Sequence, residues 1–182
     1  DLFYAYKEGK NWTEAMNLGG VINSGVWESQ PSFSADGKTL YFVRGKRSGQ
    51  GISHQDIWSA ELSDNGTWSK PAKIPGLVNT PEVEESVFIH PDGQTLYFAS
   101  DGHPGMGGLD LFMSRKHPDG SWGEPVNLGY PINTAGDENS LLVSSSGSLA
   151  VFASDRPGGF GDLDLYHFEL PEKVKPQPVT YA

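Results

Sequence analysis

The sequence predicts an all-β fold, a run of β-propeller blades that are each a four-stranded antiparallel sheet. One observation is a cassette that recurs every 54–56 residues. Asp1-Leu2-Phe3-Tyr4 returns as Asp56-Ile57-Trp58-Ser59, as Asp110-Leu111-Phe112-Met113 and as Asp164-Leu165-Tyr166-His167. A fixed period of this size marks a repeat array, in which each unit needs its neighbours to bury its faces. A second observation is turn chemistry at matched places: Asp36-Gly37 and Asn65-Gly66 in one unit, Asp92-Gly93 and Asp119-Gly120 in the next. Tight hairpins need positive φ at their central residues, and these dipeptides supply it. Finally, no stretch carries a 3.6-residue apolar period, so almost no helix is expected.

Taken in order, residues 1–24 are the end of one blade and supply its last two strands. Residues 25–80 form a full blade. Its first strand lies around Pro31-Ser32-Phe33-Ser34, and its second is Thr39–Val43, dense in aromatic and β-branched side chains. A Gly-rich loop leads to the third, Asp56–Leu62, and the fourth runs Trp68–Ile74 before Pro75-Gly76. Residues 81–134 repeat this blade, with His90–Phe98 matching Ser34–Phe42. Residues 135–170 supply three strands of a partial blade, where Ser144–Phe152 is a worn copy of the same segment. These thirteen expected strands are fewer than a four-bladed ring of such sheets needs, and the chain starts inside a repeat. The expectation is a partial piece of a larger propeller, since a ring left open exposes sheet edges. Residues 171–182 break the pattern; prolines at 171, 176 and 178 favour an extended linker to a following domain, which Val179-Thr180-Tyr181 could begin.

Thirteen basic and 23 acidic residues leave a net charge of −10, which disfavours nucleic acid and anionic lipid as partners. Zero cysteines exclude disulfides, thiolate metal sites and thiol catalysis. No apolar run approaches the length of a membrane span, and there is no signal peptide, an absence that says nothing of export in a chain that begins mid-repeat.

Candidate sites are weighed by whether they repeat. Asp56, Asp110 and Asp164 each open a third strand; chemistry needs one asymmetric site, so a carboxylate copied into each blade reads as structural. Trp12, Trp68 and Trp122 read as anchors packed between blades. Glu28, Glu84 and Glu138 each sit five residues past an Asn (Asn23, Asn79, Asn133), just before the innermost strand. They could ring the mouth of a central channel and hold a cation or a basic peptide; alternatively they bond backbone at a turn the Asn residues cap. The loops 44–55, 100–109 and 154–163 are rich in Gly and Asp. The run Asp155–Asp164 can be read as a Ca²⁺ loop, though it lacks the regular spacing and terminal Glu of an EF-hand. The plainer reading is a loop whose glycines take positive φ and whose Asp residues cap backbone. His54, His90, His103, His117 and His167 fall at different repeat positions without ligand spacing, and no G-x-S-x-G elbow occurs. The reading therefore contains no catalytic residue, no metal and no cofactor.

The strings S-A-D-G-K-T-L-Y-F (34–42) and H-P-D-G-Q-T-L-Y-F-A-S-D (90–101) resemble the WD40-like, TolB-type propeller repeat. With A-S-D-R-P-G-G-F-G-D-L-D-L-Y (153–166) and G-S-W-G-E-P-V-N-L-G-Y-P-I-N-T (120–134), residues 1–170 look like the propeller modules of OmpA-family, outer-membrane-associated proteins of the Bacteroides–Flavobacterium lineage. Two departures stand out: Ser145-Ser146-Gly147 replaces the Asp-Gly turn, and Arg44-Gly45 replaces the Ser-Asp pair. The resemblance implies a periplasmic, non-enzymatic scaffold associated with the outer membrane. Its partners would be proteins of a secretion, insertion or nutrient-uptake assembly, with peptidoglycan gripped by a domain outside this chain. The alternatives are a hydrolase that takes peptide or glycan in its channel, and a Ca²⁺-dependent adhesive module.

Overall fold

The computed structural model describes residues 1–49 and 51–177. β1 (Phe3–Tyr4) pairs with β4 (Met16–Asn17), and β2 (Lys7–Glu8) pairs with β3 (Asn11–Trp12), so the two expected N-terminal strands are each broken in two. The first full blade is a meander of β5 (Trp27–Phe33), β6 (Thr39–Ser48), β7 (Gly51–Glu61) and β8 (Ala72–Lys73). The second is β9 (Glu84–Ile89), β10 (Thr95–Ser100), β11 (Asp110–Arg115) and β12 (Val126–Asn127). A three-stranded blade follows, β13 (Glu138–Val143), β14 (Ala150–Ser154) and β15 (Asp164–Phe168), with every pairing antiparallel. The chain is an all-β partial propeller.

The structure adjusts the expected strands in three ways. The innermost strand starts earlier than Pro31 because a β-bulge carries it on: pairing jumps from Ser29↔Val43 to Ser32↔Tyr41, with Gln30 at φ 52°. Ser86 and Ser140 take the same conformation at the matching bulges. In the stretch 44–55, expected as a Gly-rich loop, the second and third strands instead continue, pairing Lys46 with Ser53 and Arg47 with Ile52. The fourth strands keep only two ladder residues, with isolated bridges Leu62↔Trp68 and Lys116↔Trp122 before them. Pro71 and Pro125 stand between bridge and ladder and lack the N–H a longer strand would use.

Alternation along the second strand of each blade feeds two separate cores. Leu40 and Phe42 pack toward the N-terminal half-blade with Leu2, Ile22 and Ala60. Tyr41 and Val43 point the other way and meet Ile89, Leu96, Phe98 and Phe112 of the second blade. That blade repeats the device, sending Tyr97 and Ala99 against Leu141, Val143 and Phe152 of the three-stranded blade. Among the described residues, each of these cores is shared between neighbouring sheets.

The tryptophans diverge accordingly. Trp122 is buried against the preceding blade, edge-on to Tyr41 with ring centroids 6.2 Å apart. Trp68 is half-buried at the matching position, 6.0 Å from Phe33. Trp12 is 68% exposed, which corrects its assignment as an interblade anchor. Among the described residues, no sheet lies beyond the half-blade for it to pack on.

Residues 171–177 do not lead away from the sheets as the linker reading expected. A 3-10 turn (Glu172–Val174) brings Val174 to full burial beside Tyr97, whose hydroxyl donates to the Val174 carbonyl at 2.6 Å. Val179-Thr180-Tyr181 lies outside the described residues. Because Trp122 fills an interblade core, Trp122→Ala is predicted to cost about 3–5 kcal/mol. Trp12→Ala should stay within about 0.5 kcal/mol. Chemical denaturation of both variants checks the pair, and equal losses would contradict this packing.

Candidate functional site

The repeated polar residues gather where one blade hands over to the next. Asn23, Asn79 and Asn133 each accept a hydrogen bond from a third-strand N–H and donate one to the same residue's carbonyl. The pairs are Asn23 with Leu2 (2.6 and 2.9 Å), Asn79 with Ile57 (2.7 and 3.0 Å), and Asn133 with Leu111 (2.9 and 2.9 Å). A carboxamide suits the task because it carries donor and acceptor side by side. Ile57 and Leu111 are fully buried beneath these clamps, whereas Leu165 at the matching position is 79% exposed.

One residue further on, the turn passes to the next blade. The Thr80 N–H and hydroxyl donate to Glu84 at 2.8 and 2.6 Å, and Thr134 does the same to Glu138 at 2.8 and 2.6 Å. Ser24 donates both groups to one oxygen of Glu28, its N–H at 3.1 Å. Ser100 and Ser154 complete the second and third sites at 2.9 and 2.7 Å. Glu28, Glu84 and Glu138 are 2%, 0% and 0% exposed, which fits the reading that they bond backbone at the Asn-capped turn and not the reading that they ring a channel mouth. Burial pushes the Glu84 carboxyl above its ordinary range, opposed by the hydrogen bonds from Thr80 and Ser100. The residues that meet near the axis are instead those of the bulges. Gln30 accepts from the Ser86 N–H at 2.7 Å and lines, with Ser86, Ser140 and Leu142, an uncharged cavity of about 200 Å³.

A third component was missed in the sequence. Arg44 donates to Glu28 at 3.1 Å and to the Ile22 carbonyl at 2.7 Å. Arg156 donates to Pro131 O at 2.9 Å and to Ile132 O, and lies 3.4 Å from Glu138. In the second blade the His103 imidazole takes this place, its Nε2 3.0 Å from Val78 O. Each group also meets the same aromatic pair of its blade: Arg44 lies over Phe42 and Trp58 and Arg156 over Phe152 and Tyr166, while His103 sits edge-on to Phe98 and tilted against Phe112. The three residues sit at different offsets in the repeat, so matching positions could not reveal them. The available signal was the departure Arg44-Gly45, whose guanidinium stands where Ser100 and Ser154 stand.

Asp110 and Asp164 close the loops that precede them. Asp110 accepts from Met106 and Gly107 at 2.6 and 3.3 Å, and Asp164 accepts from Phe160 and Gly161 at 2.6 and 3.3 Å. Burial raises the Asp110 carboxyl, against the pull of those two N–H donors. Asp56 pairs instead with Lys73 at 2.7 Å, because its blade has the continued strands in place of the loop. Asp155 spends an oxygen on the Asp137 N–H at 2.7 Å. Among the described residues, no three His, Asp or Glu side chains converge on one point. His90 is fully buried, accepting at Nδ1 from the Asp92 N–H (3.1 Å) with Nε2 3.1 Å from Ser144 O, so it joins the turns of adjacent blades.

Comparison with known proteins places this architecture. No protein-family model matches the chain, and no curated protein sequence matches it. Among solved structures it is similar to TolB from Acinetobacter baumannii, with a TM-score of 0.51 and 18% identity over 78% of this chain and 29% of that one. It is also similar to a putative TolB from Agrobacterium tumefaciens, with a TM-score of 0.53 and 20% identity over 82% of this chain and 48% of that one. The chain thus spans less than half the length of either. A looser superposition, with a TM-score of 0.46 and 16% identity over 94% of this chain and 62% of that one, is to α-L-arabinofuranosidase from Lactobacillus brevis. What the chain shares with the two TolB structures is the TolB-type propeller fold.

Arg156 is the most engaged of the three turn-locking groups. Arg156→Ala leaves Glu138 its Thr134 and Ser154 hydrogen bonds but removes its charge partner and the donor to two carbonyls, and is predicted to lower stability by about 3 kcal/mol, the low end for a broken buried pair. Arg156→Lys should recover little, since one ammonium cannot reach two carbonyls and stack on two rings. Denaturant melts of the two variants test this, and full recovery by Lys would contradict it.

Proposed function

We propose that this chain is part of a non-enzymatic propeller that serves as a rigid platform for protein–protein interaction. The observation that carries the reading is the fate of the recurrent polar groups. Asn79, Thr80 and Glu84, and their counterparts Asn133, Thr134 and Glu138, are spent on joining one blade to the next. Asp110 and Asp164 are spent on holding loops. Groups consumed in this way stiffen a frame; what remains for function is the loops and clefts that the frame presents. The TolB-type fold supports a propeller scaffold.

The finer address rests on the resemblance carried by residues 34–42, 90–101, 120–134 and 153–166. The platform belongs in the periplasm, within an outer-membrane-associated complex of secretion, insertion or nutrient-uptake proteins. Peptidoglycan tethering would come from an OmpA-like domain outside this chain. The net charge of −10 agrees with a protein partner and disfavours nucleic acid.

In-cell photo-crosslinking of the full protein, with the photoreactive residue placed at exposed Leu142 or Phe160, tests the proposal. Outer-membrane assembly proteins should dominate the adducts. Recovery of cytoplasmic proteins alone, or turnover of peptide or glycan substrates by the purified chain, would overturn it.

A further inference from the structure

The chain carries, within itself, an occupied and an unoccupied copy of one cleft. Between the second blade and the three-stranded blade lies the segment Val174-Lys175-Pro176-Gln177, extended at Lys175 with φ −64° and ψ 143°. Tyr97 donates its hydroxyl to Val174 O at 2.6 Å, and Arg115 donates to Lys175 O. Asp92 Oδ2 accepts the Gln177 N–H at 2.8 Å. Pro176 lies flat on Gly147, where an added Cβ would come within 2.6 Å of its Cδ.

One repeat earlier the same positions are Asp36, Tyr41 and Gly93, and together they line an open groove of about 270 Å³ between the first and second blades. Its hydrogen-bonding groups are ready for an occupant. Asp36 Oδ1 takes Ser34 and the Lys38 N–H, while Oδ2, the counterpart of the oxygen that holds Gln177, accepts no hydrogen bond from another described residue. The Tyr41 hydroxyl likewise has no partner among the described residues. Burial, then the Glu61 and Asp36 carboxylates, push its pKa up to about 12, which keeps it a donor.

The two clefts differ in charge and depth. Where the filled cleft has Arg115, the open one has Glu61, held on Thr39 at 3.2 Å. Lys116, on the far wall, lies over the Trp122 ring at 5.7 Å. Trp122 itself covers Tyr41 as Val174 covers Tyr97, so an occupant needs no aliphatic anchor. We infer that this groove binds an extended segment of a partner protein with a basic residue directly before a proline. The proline would lie on Gly93, a backbone N–H on Asp36 and a carbonyl on the Tyr41 hydroxyl. Extended Pro-containing segments suit such grooves because little conformational freedom is lost on docking.

This inference rests on the interaction-platform reading, yet it fails separately. The experiment is an NMR titration of the intact chain with a blocked Ser-Lys-Pro-Gln-Pro peptide. Saturable shifts are expected at residues 34–41 and 91–93, with affinity about tenfold weaker in Asp36→Ala, the loss of one charge-assisted bond. Tyr41→Phe, which keeps the ring, should also weaken binding, as should Glu in place of Lys in the peptide. Absence of saturable shifts, shifts centred on residues 144–147 and 174–177, or unchanged affinity in Asp36→Ala would overturn it. In-cell crosslinks to envelope proteins that persist in Asp36→Ala would leave the platform standing and remove this groove from it.

Discussion

A carboxamide set between two blades carries this architecture. In the second blade, Asn133 pairs with both backbone groups of Leu111 and so fixes the turn that starts the next sheet. Thr134 then binds Glu138, and Arg156 returns to the Ile132 carbonyl, closing a polar circuit across the joint. Such buried groups are costly unless satisfied, and here they satisfy one another. The apolar cores depend on this joint. Leu141 and Val143 meet Tyr97 and Ala99 in the core beside that joint. The repeat is thus conserved inside the molecule at its joints, while the faces between joints vary in packing detail.

Differences among the blades are as informative as their likeness. The first full blade trades an Asp-closed loop for longer strands, and Asp56 changes partner to Lys73. Among the described residues, Leu165 has no clamp of the kind that Ile57 and Leu111 have. Clefts between neighbouring turns diverge too, one filled by residues 174–177 and one open. The frame repeats from blade to blade, while the surfaces it carries do not.

Much of this was legible in the sequence because repetition multiplies weak signals. Asp-Gly turns, the Leu40-Tyr41-Phe42 strand and the Asn–Glu spacing each recur, and together they point to the blade and to a polar feature at the turn between blades. What did not recur was hidden. Arg44, His103 and Arg156 do one job from three different offsets, so no position-by-position comparison joins them. Of the two readings open for the Glu residues, bonding at the turn is the one the structure shows, while Gln30, Ser86 and Ser140 at the bulges meet between the innermost strands. Trp12 matches Trp122 in sequence but not in surroundings, and burial depends on surroundings. The proline-bearing tail reads as a linker by composition, while buried Val174 and hydrogen bonds with Tyr97, Arg115 and Asp92 hold residues 174–177 against the sheets.

Amide hydrogen exchange at Leu111 tests the clamp most directly, because that N–H is held by the Asn133 side chain and not by a neighbouring strand. In the native protein, Leu111 and Ile57 should both exchange slowly, as core amides do. In Asn133→Ala, Leu111 should exchange much faster while Ile57, held by Asn79, keeps its protection. Unchanged protection at Leu111 would show that the joint does not depend on the carboxamide, and the account built on it would fail.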